Sequence, residues 1–133
     1  MRKKLGKEEM SFIRSTSPAL FTYQYPHIWF DLRGKRDKVG IDYFENSRIA
    51  TLHNIDYCIK NPEGHKGYGP KVWGLSYCEC PLHPNNYGCH GPYPGMDDGT
   101  ITPAAVGGSI IFAPRVSIEA LRYMNETYGD RLG

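Results

Sequence analysis

The chain has no long apolar run, little net charge and none of the short motifs that mark the common catalytic classes. Nothing in its 133 residues approaches the length of a membrane span. The opening MRKKLGKEEM is basic but leads into no apolar segment, so it does not read as a signal peptide. A net charge of +2, with both signs interspersed, excludes the basic footprint of a nucleic-acid binder. GxSxG, HExxH and a phosphate-cradling glycine loop are all missing; GHKGYGP is glycine-rich but neither follows a strand nor opens a helix. There is no internal repeat and no low-complexity tract. The length allows one modest domain with a single core. Four cysteines suit either redox compartment, so localisation is not written in the chain.

Aromatic residues are plentiful: ten Tyr, five Phe and two Trp, many of them beside Gly or Pro. Rings on loops suit sugars, although most tyrosines simply pack. Residues 1–17 are polar and expected to be loosely ordered, ahead of a domain over 18–133. SPALFTYQYPHIWFDLRGKRD reads as an extended or turn-rich segment running into a short helix. The clearest helix spans Val39 to Lys60, with Ile41, Phe44, Arg48, Leu52, Ile55 and Ile59 on one stripe, ended by Asn61-Pro62. Asp42, Glu45, Asn46, Ile49 and His53 fall on the neighbouring face. Residues 61–101 form one long loop, interrupted only by KVWGLSY. A loop of that length signals function or disorder, and its Trp and Tyr argue against disorder. Thr102-Pro103 opens a second helix as hydroxyl cap and first-turn proline. Ala113-Pro114 breaks it, and a third runs from Pro114 to Tyr128, with Gly129 as its stop. The expectation is an all-α fold with one large functional loop.

Two constellations could carry chemistry. Cys78, Cys80, His83, Cys89 and His90 lie within thirteen residues, but structural zinc usually wants its first two ligands two to four residues apart. Here the gap is one residue, and Cys89 adjoins His90. Spacing disfavours the metal and leaves a disulfide from Cys89 to Cys78 or Cys80, or free thiols. The second constellation sets Asp42 and Glu45 against Asp97 and Asp98 of the loop. Inverting glycoside cleavage needs a proton donor and a water-activating carboxylate about 6.5–9.5 Å apart. The bland reading is equally physical: helix dipoles favour acids in first turns, and Asp-Asp-Gly is ordinary turn chemistry.

Five blocks occur in order: FTYQYPHIWFDLRG, GIDYFENSRIAT, GYGPKVWGLSYCECP, DDGTITPAAVGGSIIFAP and ALRYMNETYGDRL. Together they resemble the glycoamylase-like family, which includes bacterial endo-β-1,2-glucanases and the carboxy-terminal domain of cyclic β-1,2-glucan synthases. The resemblance runs from about Leu20 to the end of the chain. It implies part of an (α/α) toroid, a glucan or oligosaccharide as ligand, inverting acid/base hydrolysis and no cofactor or metal. It also implies a periplasmic or extracellular setting. By position in the matching motifs it assigns Asp42, Glu45 and Asp98 to catalysis, and Asp31, Arg33 and Trp73 to sugar binding. Tyr68 and Tyr93 are expected to join them from the same loop. Typical members follow WGLTA with a short Gly-Pro-Tyr-rich loop; here CECPLHPNNYGCHG enlarges it. Twelve helices of mean length would need ~144 residues before any loops, so the chain resembles a fragment or short gene product of the toroid. The alternative is a non-catalytic carbohydrate-binding or assembly piece that completes a toroid with another chain or its own copy.

Overall fold

The computed structural model describes residues 3–5, 8–10, 12–79 and 87–132. Among the described residues five helices dominate: α1 (Leu20–Gln24), α2 (Pro26–Trp29), α3 (Tyr43–Lys60), α4 (Pro103–Gly108) and α5 (Pro114–Leu132). Two small antiparallel hairpins accompany them. One pairs β1 (Lys3–Leu5) with β2 (Glu8–Met10), and the other pairs β3 (Tyr77–Glu79) with β4 (Tyr87–Cys89). The helix-rich expectation holds. The backbone N–H of Ile13 donates to Asn46 at 2.6 Å, and that of Ser15 donates to the Tyr23 hydroxyl at 2.9 Å.

Helix α3 begins at Tyr43 rather than Val39 because Asp42 stands outside it as the cap. Its Oδ1 accepts the Glu45 backbone N–H at 2.9 Å, satisfying one of the orphan donors of the first turn. At the other end Asn61 takes the left-handed conformation (φ 44°) and bonds back to the Tyr57 carbonyl. Its side chain then closes the next turn on both backbone groups of His65, at 2.8 Å each.

The buried face of α3 corrects the expected stripe. Ser47, Ala50, Thr51, Asn54, Ile55, Tyr57 and Cys58 face inward, whereas Ile59 is half exposed. Small and polar residues win here because other backbone segments press directly against the helix. Asn54, fully buried, works like a strand partner: its Oδ1 accepts from Leu75 N (3.1 Å) and its Nδ2 donates to Leu75 O (3.2 Å). Leu20 N donates to the same carbonyl at 3.2 Å.

Residues 73–76 therefore thread through the interior instead of forming a surface loop. Gly74 has φ +121°, and a Cβ there would lie 2.9 Å from both the Thr102 carbonyl oxygen and the Val106 side chain. The core gathers around this segment: Leu20, Ile55, Trp73, Leu75, Val106 and Met124, with Ala120 at the closest approach of α5. Gln24 ties α1 to α4, its Nε2 donating to the Ala105 carbonyl (2.7 Å) and lying 2.9 Å from the Ser109 hydroxyl.

Two helix-end expectations are corrected. Thr102 precedes α4 but makes no side-chain cap bond; its hydroxyl is buried without a partner. Helix α5 runs through Gly129 to Leu132, since propensity alone does not stop a helix packed along one side. On that helix Leu121, Met124 and Tyr128, with Val72, Ile101 and Pro103, border an apolar groove of about 670 Å3.

Cys58 and Cys78 are free thiols, whereas pairings through Cys80 or the Cys89 side chain, and any ligand role of His83, lie outside the described residues. Burial pushes the Cys58 thiol up to about 12 from its ordinary 9.0; a backbone contact at Gly74 opposes this and the Asp97 charge adds to it. The unfolded chain thus releases this proton near pH 9 and the native chain only near 12. Stability is expected to fall as pH rises through that window, because the native state holds more protons there. A thiol-labelling assay at pH 8 should modify Cys78 in the native protein and Cys58 only after unfolding. Equal labelling rates would contradict the buried placement.

Candidate functional site

The first turn of α3 and the segment after α2 build a polar and aromatic hollow. Trp29, Phe30, Asp31, Arg33, Phe44 and Ile111 line a cleft of about 240 Å3. A neighbouring hollow of about 290 Å3 is bordered by Pro26, Tyr43, Asn46 and Ser47, and His27 forms a wall of both. Each lies below the 300–1,000 Å3 usual for a complete ligand pocket, so each has room for part of an oligosaccharide.

Asp31 and Arg33 lie together, both exposed and paired with each other. Arg33 Nε donates to Oδ1 at 2.8 Å and its terminal nitrogen to Oδ2 at 3.1 Å. The guanidinium hydrogen bond, reinforced by the Arg33 backbone N–H, lowers the Asp31 carboxyl to about 2. The His27 pKa is lowered by burial, which outweighs the opposing charge of Asp31. Its Nε2 stands 3.0 Å from the Ser47 hydroxyl, and its ring packs edge-on against Phe44 and Phe112.

Asp42 and Glu45 belong to the start of α3, beside Tyr43, Phe44 and Asn46, which line the hollows, but neither carboxylate lines a hollow itself. Asp42 spends Oδ1 on the helix cap, while Oδ2 lies 4.0 Å from Arg36. Glu45 accepts from Arg48 through both oxygens, at 2.8 and 2.7 Å. Both oxygens of Glu45 are thus occupied by one guanidinium. Nearby, Tyr43 donates its hydroxyl to Asp37 at 2.8 Å. The backbone N–H of Ile41 is the main cause of the lowered Asp37 pKa, and Asp37 in turn raises that of Tyr43.

The loop acids are held elsewhere. Asp97 is fully buried: Oδ1 accepts the Tyr68 hydroxyl at 2.6 Å and the Gly99 N–H at 3.1 Å, and His65 Nε2 stands 3.4 Å from Oδ2. Burial raises the Tyr57 and Tyr68 hydroxyl pKa values, and the Asp97 charge adds to both shifts. Tyr57 lies twelve residues after Glu45, a rise of about 18 Å along the helix. Asp97 therefore belongs to the last turns of α3 and does not face the first, contrary to the expected opposition. Asp98 accepts the Thr100 N–H at 3.0 Å and lies 3.1 Å from Nδ1 of the buried His90.

The aromatic candidates also divide. Trp73 is fully buried in the core, so the expected stacking role is corrected: neither ring face meets solvent. Tyr68 directs its hydroxyl inward to Asp97. Tyr93 packs with His53 at 5.5 Å and carries the Arg14 guanidinium 3.9 Å from its ring centre. The structure thus brings Asp31, Arg33, Asp42 and Glu45 to one end of α3 and sets Tyr68, Tyr93 and Asp97 farther along it. Among the described residues, no group of three or more His, Cys, Asp or Glu is placed to hold a metal, and no helix is long and apolar enough to cross a membrane.

Two features escaped sequence reasoning. Asp97 was outranked by its neighbour because nothing local reveals burial. Phe21, Tyr25 and Trp29 are spaced four apart, a helical signal hidden by the Pro26 break.

Packed helices joined by aromatic loops, with Asp31 and Arg33 in an open cleft, define a helix-rich domain. Residues 2–133 match the model of the Glycoamylase family, described as "Putative glucoamylase", and the chain belongs to that family. A comparison with curated proteins finds no match. Among solved structures it is similar to a putative glucoamylase from Bacteroides uniformis (39% identity, TM-score 0.83), covering 98% of this chain and 31% of that one. It is similar to a β-1,2-glucanase from Parabacteroides distasonis (30%, 0.82), covering 96% of this chain and 18% of that one. An endo-β-1,2-glucanase from Chitinophaga pinensis, in complex with sophorotriose and glucose, is also similar (29%, 0.78; 93% and 30% covered). The chain spans less than a third of the length of these structures.

Proposed function

We propose that the chain supplies part of the glucan-handling cleft of an (α/α) toroid, acting on β-1,2-glucan or a related β-glucan by inverting hydrolysis. The carrying observation is that Asp31 and Arg33 line the cleft together with Phe44, on the first turn of α3 that also carries Asp42 at its cap and Glu45. The Asp31–Arg33 pair offers fixed donors and acceptors to sugar hydroxyls. Glu45, holding Arg48 through both oxygens, fits the activation of water. Asp42 keeps Oδ2 off the helix cap, 4.0 Å from Arg36, and is the second carboxylate of the acid/base pair. Asp98 enters the cleft chemistry only through whatever completes the toroid, because within this chain His90 holds it.

Incubation with linear β-1,2-glucan, followed by chromatography and anomeric NMR of the products, tests this reading. Released oligosaccharides of inverted configuration are expected, falling about a hundredfold in rate for Glu45→Gln. Retained configuration, or full turnover in that variant, would remove this mechanism.

A second reading is favoured by the exposure of Ile28, Phe30, Val39 and Ile111, each more than half accessible. Such surface suits a piece that completes a toroid with another chain or its own copy, without cleaving. Light scattering that finds only monomers would count against it.

A further inference from the structure

Five aromatic rings form a continuous row across three parts of the molecule. Trp29 meets Tyr25 at 6.4 Å between ring centres, and Tyr25 meets Phe21 at 5.2 Å. Phe21 meets Tyr77 at 6.0 Å, and Tyr77 meets Tyr87 at 5.9 Å. The first three rings share one face of the α1–α2 segment by their spacing of four. Tyr77 and Tyr87 are diagonal neighbours on one face of the β3–β4 hairpin, since Tyr77 pairs with Cys89 and Glu79 with Tyr87. The hairpin belongs to the enlarged cysteine-rich loop. Trp29 and Tyr87 are each 66% exposed and Tyr25 is 47% exposed, so both ends and the middle of the row meet solvent. Packing inside this chain does not account for so large an exposed aromatic surface.

We propose that this row is a binding track for a neutral glucan chain, leading from the cleft at Asp31 and Arg33 out to the β3–β4 hairpin. Trp29 lines that cleft and also begins the row, so the two surfaces are continuous. Pyranose rings place apolar C–H faces on aromatic rings while their hydroxyls remain at the watery edge, and Tyr and Trp suit such a boundary. The row itself carries no charged side chain. Arg33 and Lys35 share Asp31 near its inner end, and the exposed Glu79 stands directly opposite Tyr87 at the outer end, so neither sign dominates the track.

Successive ring planes are turned by 69°, 38°, 85° and 7°. The choice of a β-1,2-linked chain rests on the proposed function; the track itself rests on the continuity and exposure of the rings.

Affinity electrophoresis of the whole chain through gels containing linear β-1,2-glucan or a soluble β-1,4-glucan tests the proposal. Retardation is expected in the first gel and much less in the second. Trp29→Ala, Tyr25→Ala and Tyr87→Ala should each weaken it about tenfold, with circular dichroism unchanged, and Tyr25→Phe should keep it. Retardation untouched by all three alanine variants would overturn the track and leave the hydrolytic reading standing. Retardation lost in those variants, from a wild-type chain that releases no product, would support the track and remove hydrolysis. Equal retardation in both gels would overturn the linkage choice. A concentration-dependent dimer broken by the same variants, with no retardation by glucan, would assign the row to a second copy and overturn the proposal.

Discussion

Trp73→Ala is expected to destabilise the protein by about 3–5 kcal/mol, the range for removing a large aromatic side chain from a packed interior. The residue is fully buried, and its segment is pinned on both sides. Asn54 holds Leu75 through two hydrogen bonds, and the Thr102 N–H donates to the Gly74 carbonyl at 2.9 Å. Neighbouring atoms therefore have little freedom to close the cavity, which places the cost toward the upper end. A loss of that size is a large part of the 5–15 kcal/mol that usually holds a domain together. Urea unfolding followed by circular dichroism measures it. Trp73→Phe, which keeps most of the apolar volume, should cost clearly less. A Trp73→Ala protein within about 1 kcal/mol of wild type but unable to bind glucan would return this residue to the ligand surface.

Asp97→Ala is the second large effect, expected to cost about 1–3 kcal/mol, the range for stranding a buried polar group. The substitution leaves the part-buried Tyr68 hydroxyl without its acceptor, whereas the exposed Gly99 N–H can turn to water. His65 Nε2, itself buried, loses the carboxylate 3.4 Å away. Asp97→Asn keeps an oxygen for Tyr68 and Gly99 and should recover at least half of the loss. This pattern separates hydrogen bonding from charge. Were the asparagine variant as unstable as the alanine one, the negative charge rather than the acceptor geometry would be what the site requires. Tyr68→Phe, which removes the donor, gives an independent reading of the same bond.

The end of α3 was legible because its chemistry is local: Asn61-Pro62 stops the helix whatever surrounds it. Its start was less so, because the apolar pattern runs back to Val39, past the cap that Asp42 forms. The pairing of Asp31 with Arg33 needs only two intervening bonds' worth of chain, and both residues were already candidates. The inward face of α3 was not legible. Ser47, Thr51 and Asn54 look like a surface face by hydropathy, yet they are buried because Tyr23 and Leu75 bring backbone groups that need partners. Hydropathy counts apolar atoms and is blind to hydrogen bonds supplied by distant segments.

The same limit explains the site residues. Trp73 and Trp29 are the same residue type in similar Pro- and Gly-rich surroundings. One is sealed between α3 and α4 and the other stands in solvent, a difference set by contacts 20 to 30 positions away in the chain. Asp97 and Asp98 are adjacent and chemically alike, but Tyr68 and Gly99 draw one inward while His90 holds the other.

What the sequence determined by itself was the family, the helix-rich class, the end of α3 and a set of candidate acids and aromatics. These follow from short-range chemistry and from the order of motifs. Only the tertiary structure decided which carboxylate is buried, which tryptophan is core, and that rings from α1, α2 and a distant hairpin join in one row. Burial and adjacency are properties of where the chain returns in space, and no window of sequence contains both sides of such a contact.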